Sequence, residues 1–528
     1  MRRTRTPVSL AIALCSATLL PSTVIAAPDG PLVRTAEGPV QGIENNGVRV
    51  FTAIPFAAPP VGPLRLRPPQ PVTKWTEPLV ATRQIPYCVQ FGGNRPGQED
   101  CLYLSVWAPA TGTGKPLPVM VWSFGGGLRT GGPANFDGSK LARDHGVVVV
   151  TMNFRSGLLG MMAAPVLDEP GAKSGNYIIM DQQAALRWVQ RNIGEFGGDP
   201  KNVTLFGQSS GGGLVLSQVS SPAAKGLIAK AIVESDGGGM LLNRDTVYAK
   251  TSPEVIKQLG CTGRPDVAAC IREVPVSAFL KVNVNKYEIR PVQDDALLPM
   301  DTYDAFTSGK FNRIPVMIGS NIGEGATWVT GMERSLGHPI SASEFPAKAK
   351  EMFGDKTDMI LAEYPVGNYP TPDAEMMNAE TDYRMACPVD SARRLLSKFV
   401  PTYGFEMSQP NPAQAFPSKD ITDLHNVPYH GSELGYIFGN RNGVPLASGA
   451  TALSNRFEVA WTNFAKFGTP DPSGKEWPRF TVAHPVVMSI EEPPKTSSDF
   501  AERHHCAFME QKGLVIQRLR NGGGEGAD

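Results

Sequence analysis

The chain has 528 residues, longer than a typical single domain but within the range of large α/β enzymes that carry insertions. Its 50 lysines and arginines balance 50 aspartates and glutamates, which excludes a strongly basic surface for nucleic acid. Hydrophobic residues make up 41% of the chain, and 55 glycines and 47 prolines predict a globular protein with many loops.

The N-terminus predicts a secretory signal peptide. Arg2, Arg3 and Arg5 precede an apolar stretch at residues 8–20, and the small residues Ala26 and Ala27 follow it. This pattern places the signal peptide at residues 1–27, with cleavage near Ala26 or Ala27. The stretch is too short to span a membrane and no other segment qualifies, so we expect a secreted or periplasmic protein without a membrane span.

The cysteines predict disulfides. Removing the signal peptide removes Cys15 and leaves six cysteines, an even number in an exported chain, although six allow fifteen connectivities. The economical short loops join Cys88 to Cys101 and Cys261 to Cys270, which leaves Cys387 with Cys506. Metal binding is the alternative, but the chain lacks C-x-x-C and H-E-x-x-H spacings, so we expect no metal site.

Strand and helix patterns alternate along the chain. Short apolar runs predict buried strands at residues 118–122, 147–152, 203–206, 231–234 and 314–318, and helical spacing appears at 181–193. This alternation predicts a mostly parallel, doubly wound sheet with its active site at the carboxyl ends of the strands. We expect one domain over residues 28–515, with a helix-rich insertion over the site at about 329–396 and a flexible tail at 516–528.

Ser209 lies in a glycine-rich turn between a predicted strand and a predicted helix. Residues 207–211 read GQSSG, and a serine at such a sharp turn is typical of a nucleophile elbow. The pattern alone is also compatible with an ordinary glycine-rich turn. Gly126 and Gly127 follow another predicted strand, so their N–H groups, with that of Ser210, predict an oxyanion hole. A phosphate-binding loop is the alternative, but neither of its motifs is present.

A serine nucleophile needs a base and an orienting acid, which in this type of sheet follow it in the order acid, then histidine. Glu324 comes just after the predicted strand at 314–318, and His430 lies in a downstream loop before a new apolar run. A solvent-exposed glutamate and a structural histidine are the alternative interpretations. We predict the catalytic residues Ser209, Glu324 and His430.

Several segments together resemble the type-B carboxylesterase/lipase family, the cholinesterase-like branch of the α/β-hydrolases. The matching segments are residues 54–62 (IPFAAPPVG), 99–107 (EDCLYLSVW), 175–182 (GNYIIMDQ), 196–200 (FGGDP), 207–211 and 430–433 (HGSE). The resemblance covers residues 33–509. It implies an α/β-hydrolase fold, the same triad and oxyanion hole, and no cofactor, and it supports the three cysteine pairs. Ser235 matches a serine that supports the triad in relatives, or is a plain structural serine.

The chain also departs from this family's pattern. Phe124 replaces the usual histidine or tyrosine, Gln208 replaces a glutamate, and Ser210 replaces an alanine. The loop between Cys88 and Cys101 is short and lacks tryptophan, which together with Gln208 argues against a cholinesterase. Phe124, Arg129 and Gln208 are possible substrate-binding residues, and Arg129 is either a recognition site for an anionic acyl group or an ordinary surface arginine.

From these observations we expect a secreted serine carboxylesterase that acts on small-molecule esters without a cofactor. The same triad also supports other acyl chemistry, namely amide, thioester or carbamate hydrolysis, or acyl transfer. A non-catalytic binding protein on this fold is a third hypothesis, disfavoured because a candidate for each triad member is present.

Overall fold

The computed structural model covers most of the chain. It describes residues 30–91, 97–112, 114–239, 241–283, 289–294, 296–365, 367–412, 422, 424–441, 444–446 and 449–521. The predicted signal peptide and residues 522–528 of the predicted tail lie outside the described residues.

One sheet of eleven strands forms the centre of the molecule. In spatial order its strands are β16 (Lys495–Ser497), β15 (Val487–Ile490), β12 (Thr402–Met407), β11 (Val316–Asn321), β10 (Lys230–Glu234), β9 (Gly198–Gln208), β7 (Leu117–Ser123), β8 (Val148–Met152), β6 (Tyr103–Pro109), β4 (Val48–Pro55) and β3 (Ile43–Asn45). The strands from β15 to β8 are parallel, and the pairs at the two edges are antiparallel. The predicted, mostly parallel sheet is therefore confirmed.

Two smaller sheets complete the described strands. They are formed by β1 (Leu32–Arg34), β2 (Pro39–Gln41) and β5 (Leu79–Val80), and by β13 (Asn440–Arg441) with β14 (Val444–Pro445).

Helices cover both faces of the central sheet. They are α1 (Ser139–His145), α2 (Gly157–Met161), α3 (Tyr177–Asn192), α4 (Ser210–Ser220), α5 (Arg244–Thr246), α6 (Ser252–Gln258), α7 (Val267–Glu273), α8 (Val276–Phe279), α9 (Thr302–Ser308), α10 (Ala326–Leu336), α11 (Phe345–Phe353), α12 (Thr357–Glu363), α13 (Pro372–Thr381), α14 (Cys387–Ser397), α15 (Leu434–Phe438), α16 (Thr451–Phe467), α17 (Phe500–Arg503), α18 (Cys506–Gln511) and α19 (Leu514–Asn521). Helix α19 differs from the prediction, because its residues from 516 onward were placed in a flexible tail. Leu514 and Val515 are buried, and their packing anchors this last helix.

The core lies on both sides of the sheet because side chains alternate between its faces along each strand. In β7, Val119 and Val121 belong to one buried cluster, whereas Met120 and Trp122 belong to another. All four side chains have no solvent exposure. Burial on both faces is what parallel sheets covered by helices require, and it explains the uninterrupted apolar runs in the sequence.

The register of the parallel strands aligns their carboxyl ends. Gln208 at the end of β9 pairs with Glu234 at the end of β10, and Glu234 pairs with Gly319 of β11. Asn321, at the end of β11, pairs with Met407 of β12. The loops that follow these strands therefore leave the sheet along the same edge.

Helices α10 to α14 follow β11 and precede β12 in the chain, and they form a separate helical layer. This layer corresponds to the predicted helix-rich insertion. Their apolar side chains share one buried cluster with Leu424 and Tyr429, which precede His430. A disulfide between Cys387 and Cys506 links α14 to α18. The other two predicted pairs, Cys88–Cys101 and Cys261–Cys270, are also formed. None of the helices in the described part of the chain is long and apolar enough to cross a membrane.

A buried histidine joins the helical layer to the sheet. His504 is 4% exposed, and its Nδ1 lies 2.5 Å from Asp382 while its Nε2 lies 2.6 Å from Glu406 of β12. Tyr364 donates to the other oxygen of Asp382, and Arg503 donates to the other oxygen of Glu406. Burial alone would lower the pKa of His504, but the two carboxylates outweigh it and raise the pKa to about 10. His504 is therefore an imidazolium held between two carboxylates at neutral pH.

We expect His504→Gln to lower the free energy of unfolding by about 3–5 kcal/mol near neutral pH, because two buried carboxylates lose their cation. The pKa of His504 is raised to about 10 from an ordinary 6.5. The stabilisation that His504 gives the folded state is therefore complete below its ordinary pKa. It is lost as the pH rises through the pKa that His504 has in the folded protein. Urea unfolding of the oxidised protein from about pH 6 to pH 10 should show this decline in wild type only.

His505→Gln is the control, since His505 is half-exposed and bonds a single half-exposed carboxylate, Glu363. Equal pH slopes in wild type and His504→Gln would contradict the assignment.

Candidate active site

Ser209 occupies a strained turn between β9 and α4. Its φ is +57° and its ψ is −136°, a conformation that L-residues rarely adopt, and its N–H donates to the carbonyl of Glu234 at 2.8 Å. Any Cβ added to Gly207 or Gly211 would lie 2.6 Å or 2.2 Å from the carbonyl oxygen of Ser123. The turn is therefore possible only with glycine on both sides, which is the geometry of a nucleophile elbow.

The structure brings the predicted base and acid together. Nδ1 of His430 lies 2.6 Å from Oε2 of Glu324, whose side chain is fully buried. The other carboxylate oxygen of Glu324 accepts the N–H of Asn321 at 2.7 Å. Because Nδ1–H donates to Glu324, the neutral imidazole carries its lone pair on Nε2. His430 is thus oriented to act as a base through Nε2.

Gln208 approaches that same nitrogen. Its side-chain amide nitrogen lies 3.3 Å from Nε2 of His430, and the Gln208 side chain is buried. With the lone pair on Nε2, the amide is the donor of this contact. Gln208, which the sequence suggested as a substrate-binding residue, therefore contacts the base itself.

The glycine loop after β7 lies against the elbow. A Cβ built on Gly125 would be 2.9 Å from the Cβ of Ser209, and Gly126 and Gly127 have φ values of +131° and +61°. The N–H of Leu128 donates to the hydroxyl of Ser210 at 3.2 Å. The hydroxyl that replaces the family's usual alanine thus connects this loop to helix α4.

Phe124 and Arg129 flank the glycine loop. Phe124 is 4% exposed, and its ring stacks on Phe154 with centroids 4.1 Å apart. This stacking buries the ring, and a role for Phe124 in substrate binding stays a prediction. Arg129 is half-buried, its backbone N–H donates to Gly126, and a role in substrate binding stays a prediction.

Ser235 directly follows β10, has a φ of +57° and is buried. Its hydroxyl has no hydrogen-bond partner among the described residues. No hydrogen bond among the described residues therefore links the Ser235 hydroxyl to the predicted triad, and its supporting role stays a prediction.

A layer of buried carboxylates lies behind the site. Glu433 accepts the side-chain amide of Asn321 at 2.5 Å, and Glu234 accepts the indole N–H of Trp461 at 2.7 Å. Burial first, then the charge of Glu324, raises the pKa of Glu433 to about 7. Burial and Glu433 likewise raise the pKa of Glu234 well above its ordinary value. The motif at residues 430–433 contains Glu433, but only the fold shows that it faces another glutamate.

The same charges act on His430. Burial by itself lowers the pKa of His430, but the nearby Glu324 and Glu433 outweigh it, so the net pKa lies above the ordinary value. Trp328 of α10, a residue that sequence analysis did not identify, packs its ring 4.9 Å from the His430 ring. No sequence signal distinguishes Trp328 from the other apolar residues of this helix.

Comparisons with known proteins agree with this geometry. A family model described as the carboxylesterase family matches residues 29–509. The chain is 34% identical to a fumonisin B1 esterase of Sphingopyxis macrogoltabida over 88% of each chain. It is 33% identical to a para-nitrobenzyl esterase of Bacillus subtilis (strain 168), over 85% of this chain and 92% of the relative.

Solved structures agree as well. One titled PNB esterase superimposes with a TM-score of 0.76 at 30% sequence identity, covering 92% of this chain and 99% of that one. The sheet order and these likenesses confirm the α/β-hydrolase fold. The chain belongs to the carboxylesterase family and is a carboxylic ester hydrolase.

Proposed function

We propose that the protein is an exported serine carboxylesterase that hydrolyses small-molecule esters through an acyl-enzyme on Ser209. The observation that carries this proposal is the 2.6 Å contact between His430 and the buried Glu324, with Nε2 of His430 against Gln208, the residue before the strained Ser209. Relatives named for para-nitrobenzyl esters and for fumonisin B1 support an ester as the substrate. Three disulfides within the described residues support an oxidising compartment, in keeping with a signal peptide at residues 1–27.

In the proposed first step, the Ser209 hydroxyl takes the place of the Gln208 amide at Nε2 of His430. As the serine oxygen attacks the ester carbonyl, its proton moves to Nε2, and Glu324 stabilises the imidazolium that forms. The carbonyl electrons move onto oxygen, where the N–H groups of Gly126, Gly127 and Ser210 hold the oxyanion.

In the following steps the tetrahedral intermediate collapses and the C–O bond to the alcohol breaks. His430 gives its proton to the departing alcohol oxygen, which leaves an acyl-enzyme on Ser209. Water then repeats the sequence: His430 accepts its proton, the hydroxide oxygen bonds the acyl carbon, and Ser209 leaves with the proton from His430. The products are a carboxylic acid, an alcohol and the original enzyme.

Ser209→Ala tests the nucleophile directly. We expect it to lower kcat for short-chain para-nitrophenyl esters by at least about 10³-fold, because no acyl-enzyme can form. The measurement is steady-state hydrolysis by the oxidised mature protein, with a melting curve to show that the variant folds. A fluorophosphonate should label wild type and leave Ser209→Ala unlabelled. Equal hydrolysis by both proteins would contradict the proposal.

The pH profile tests the base. A protonated His430 cannot accept the proton of Ser209, so kcat/KM should fall on the acid side. Since nearby carboxylates raise the pKa of His430, we expect the midpoint above the ordinary histidine value of 6.5. Glu433→Gln removes one of these negative charges and should move the midpoint to lower pH. A flat profile from about pH 5 to pH 9 would exclude His430 as the base.

Ser210→Ala tests the link between α4 and the glycine loop. Loss of the acceptor for the Leu128 N–H should loosen the oxyanion donors and lower kcat by about 3- to 10-fold, with KM little changed. Ser217→Ala is a matched control, because Ser217 lies on the same helix and its hydroxyl bonds only the carbonyl of Gly213. An unchanged kcat in Ser210→Ala would show that the loop does not need this bond.

A further inference from the structure

A cation lies one aromatic ring away from the catalytic base. The guanidinium carbon of Arg384 is 4.5 Å from the centre of the Trp328 ring, and that ring in turn packs 4.9 Å from the ring of His430. Trp328 is half-buried, and 13% of the Arg384 side-chain surface is exposed to solvent. The three side chains form a stack, which we call the arginine stack, on the His430 side of the site.

The backbone holds Arg384 in this position. Residues Asp382–Ala386 form a single π-helical turn just before Pro388, and the wider turn relieves the clash that a proline ring makes with the carbonyl of residue 384. Nε of Arg384 pairs with the fully buried Glu380 one turn earlier. The adjacent Thr381 accepts the N–H of Gly325, next to the catalytic acid, at 2.9 Å. The arginine stack is therefore fixed to the loop that carries Glu324.

The proposed proton transfer does not need this cation. The charges that face His430 are Glu324, Glu433 and Arg384, and Arg384 lowers the pKa of the imidazole while the two glutamates raise it. A cation beside His430 disfavours the imidazolium that forms during catalysis, even though Glu380 offsets part of the charge. Glu380 pairs with Nε of this guanidinium, and an anionic group on the substrate would be a second counter-charge beside the same cation.

The position also indicates which part of the substrate carries that charge. His430 protonates the departing alcohol oxygen, so the alcohol must reach Nε2 within hydrogen-bond distance. The carbonyl oxygen, by contrast, points to the glycine loop after β7. A group that lies over Trp328 therefore belongs to the alcohol portion, and a guanidinium suits a carboxylate there because its planar N–H groups match the two oxygens.

We propose that Arg384, lying over Trp328, binds an anionic group on the alcohol portion of the ester. This inference rests on the proposed function, because it uses His430 as the acid that protonates the leaving alcohol.

The test compares esters that differ only in charge. Para-acetoxybenzoate carries a carboxylate on its alcohol portion, and its methyl ester is the neutral counterpart. The para-nitrophenyl monoester of succinate places the charge on the acyl portion instead, with para-nitrophenyl pentanoate as its neutral counterpart. Ser209→Ala, run on the neutral esters, tests the proposed function separately.

The main variant is Glu380→Gln with Arg384→Met. Removing both charges leaves no unpaired buried carboxylate and keeps the net charge of wild type. We expect kcat/KM for para-acetoxybenzoate to fall about 10- to 100-fold, mainly through KM, while the methyl ester changes by less than about 2-fold. Arg384→Lys should retain part of the preference, because it keeps the charge without the planar fork.

Arg313→Met is the matched control. Arg313 also lies over an aromatic ring, 4.2 Å from the centre of Phe399, but it precedes β11 at the opposite end of the sheet. We expect Arg313→Met to leave kcat/KM unchanged for both para-acetoxybenzoate and its methyl ester. Equal losses of kcat/KM on para-acetoxybenzoate and its methyl ester in the double variant would show that the arginine stack is structural, and they would overturn the proposal.

A loss of kcat/KM confined to the succinate monoester would overturn the assignment to the alcohol portion. If Arg129→Met reproduced that loss, Arg129 would be the residue that recognises acyl charge.

Discussion

The contact between Glu324 and His430 organises much of the molecule. It joins Glu324, just after β11, to His430, which follows β12 in the chain, and the parallel pairing of β11 with β12 brings the ends of both strands to the same edge of the sheet. Asn321 reinforces it, because its backbone N–H binds Glu324 while its side chain binds Tyr429 and Glu433. One residue at the end of β11 thereby positions Glu324, the loop before His430 and the carboxylate of Glu433.

Electrostatic balance around His430 follows from that arrangement. Glu324 and Glu433 stabilise the charged imidazole, whereas burial and Arg384 oppose it. A base works best when its pKa lies near the working pH, so these opposing influences suit the role that we propose for His430. Glu433 holds its proton more tightly than an exposed glutamate, which limits the negative charge beside the base.

The π-helical turn before Pro388 connects stability with the site. Asp382, at its start, pairs with the buried imidazolium of His504, and Arg384, two residues later, lies over Trp328. The disulfide between Cys387 and Cys506 closes the same region covalently. The pair between His504 and Glu406 of β12 therefore connects the helical layer to the sheet, and the disulfide connects α14 to α18.

Features that depend on neighbours along the chain could be predicted from the amino-acid sequence. The glycines around Ser209, the apolar runs of the parallel strands and the triglycine loop are local requirements, visible because only a few residue types satisfy them. The order of Ser209, Glu324 and His430 could also be predicted, because each follows a strand or a recognisable motif. The short cysteine loops likewise favoured the pairing that the structure forms.

Contacts between residues that are far apart in the sequence could not be predicted and follow only from the tertiary structure. Phe124 was a possible substrate-binding residue from its place beside the glycines, and only the fold shows that Phe154, from another loop, stacks on its ring. No sequence pattern distinguishes His504, and only the fold places Asp382 and Glu406 at its two nitrogens. Trp328 and Arg384 carry no motif. Both lie near His430 because α10 and the π-helical turn pack against the loop of Glu324, and such contacts produce no periodic pattern in a sequence.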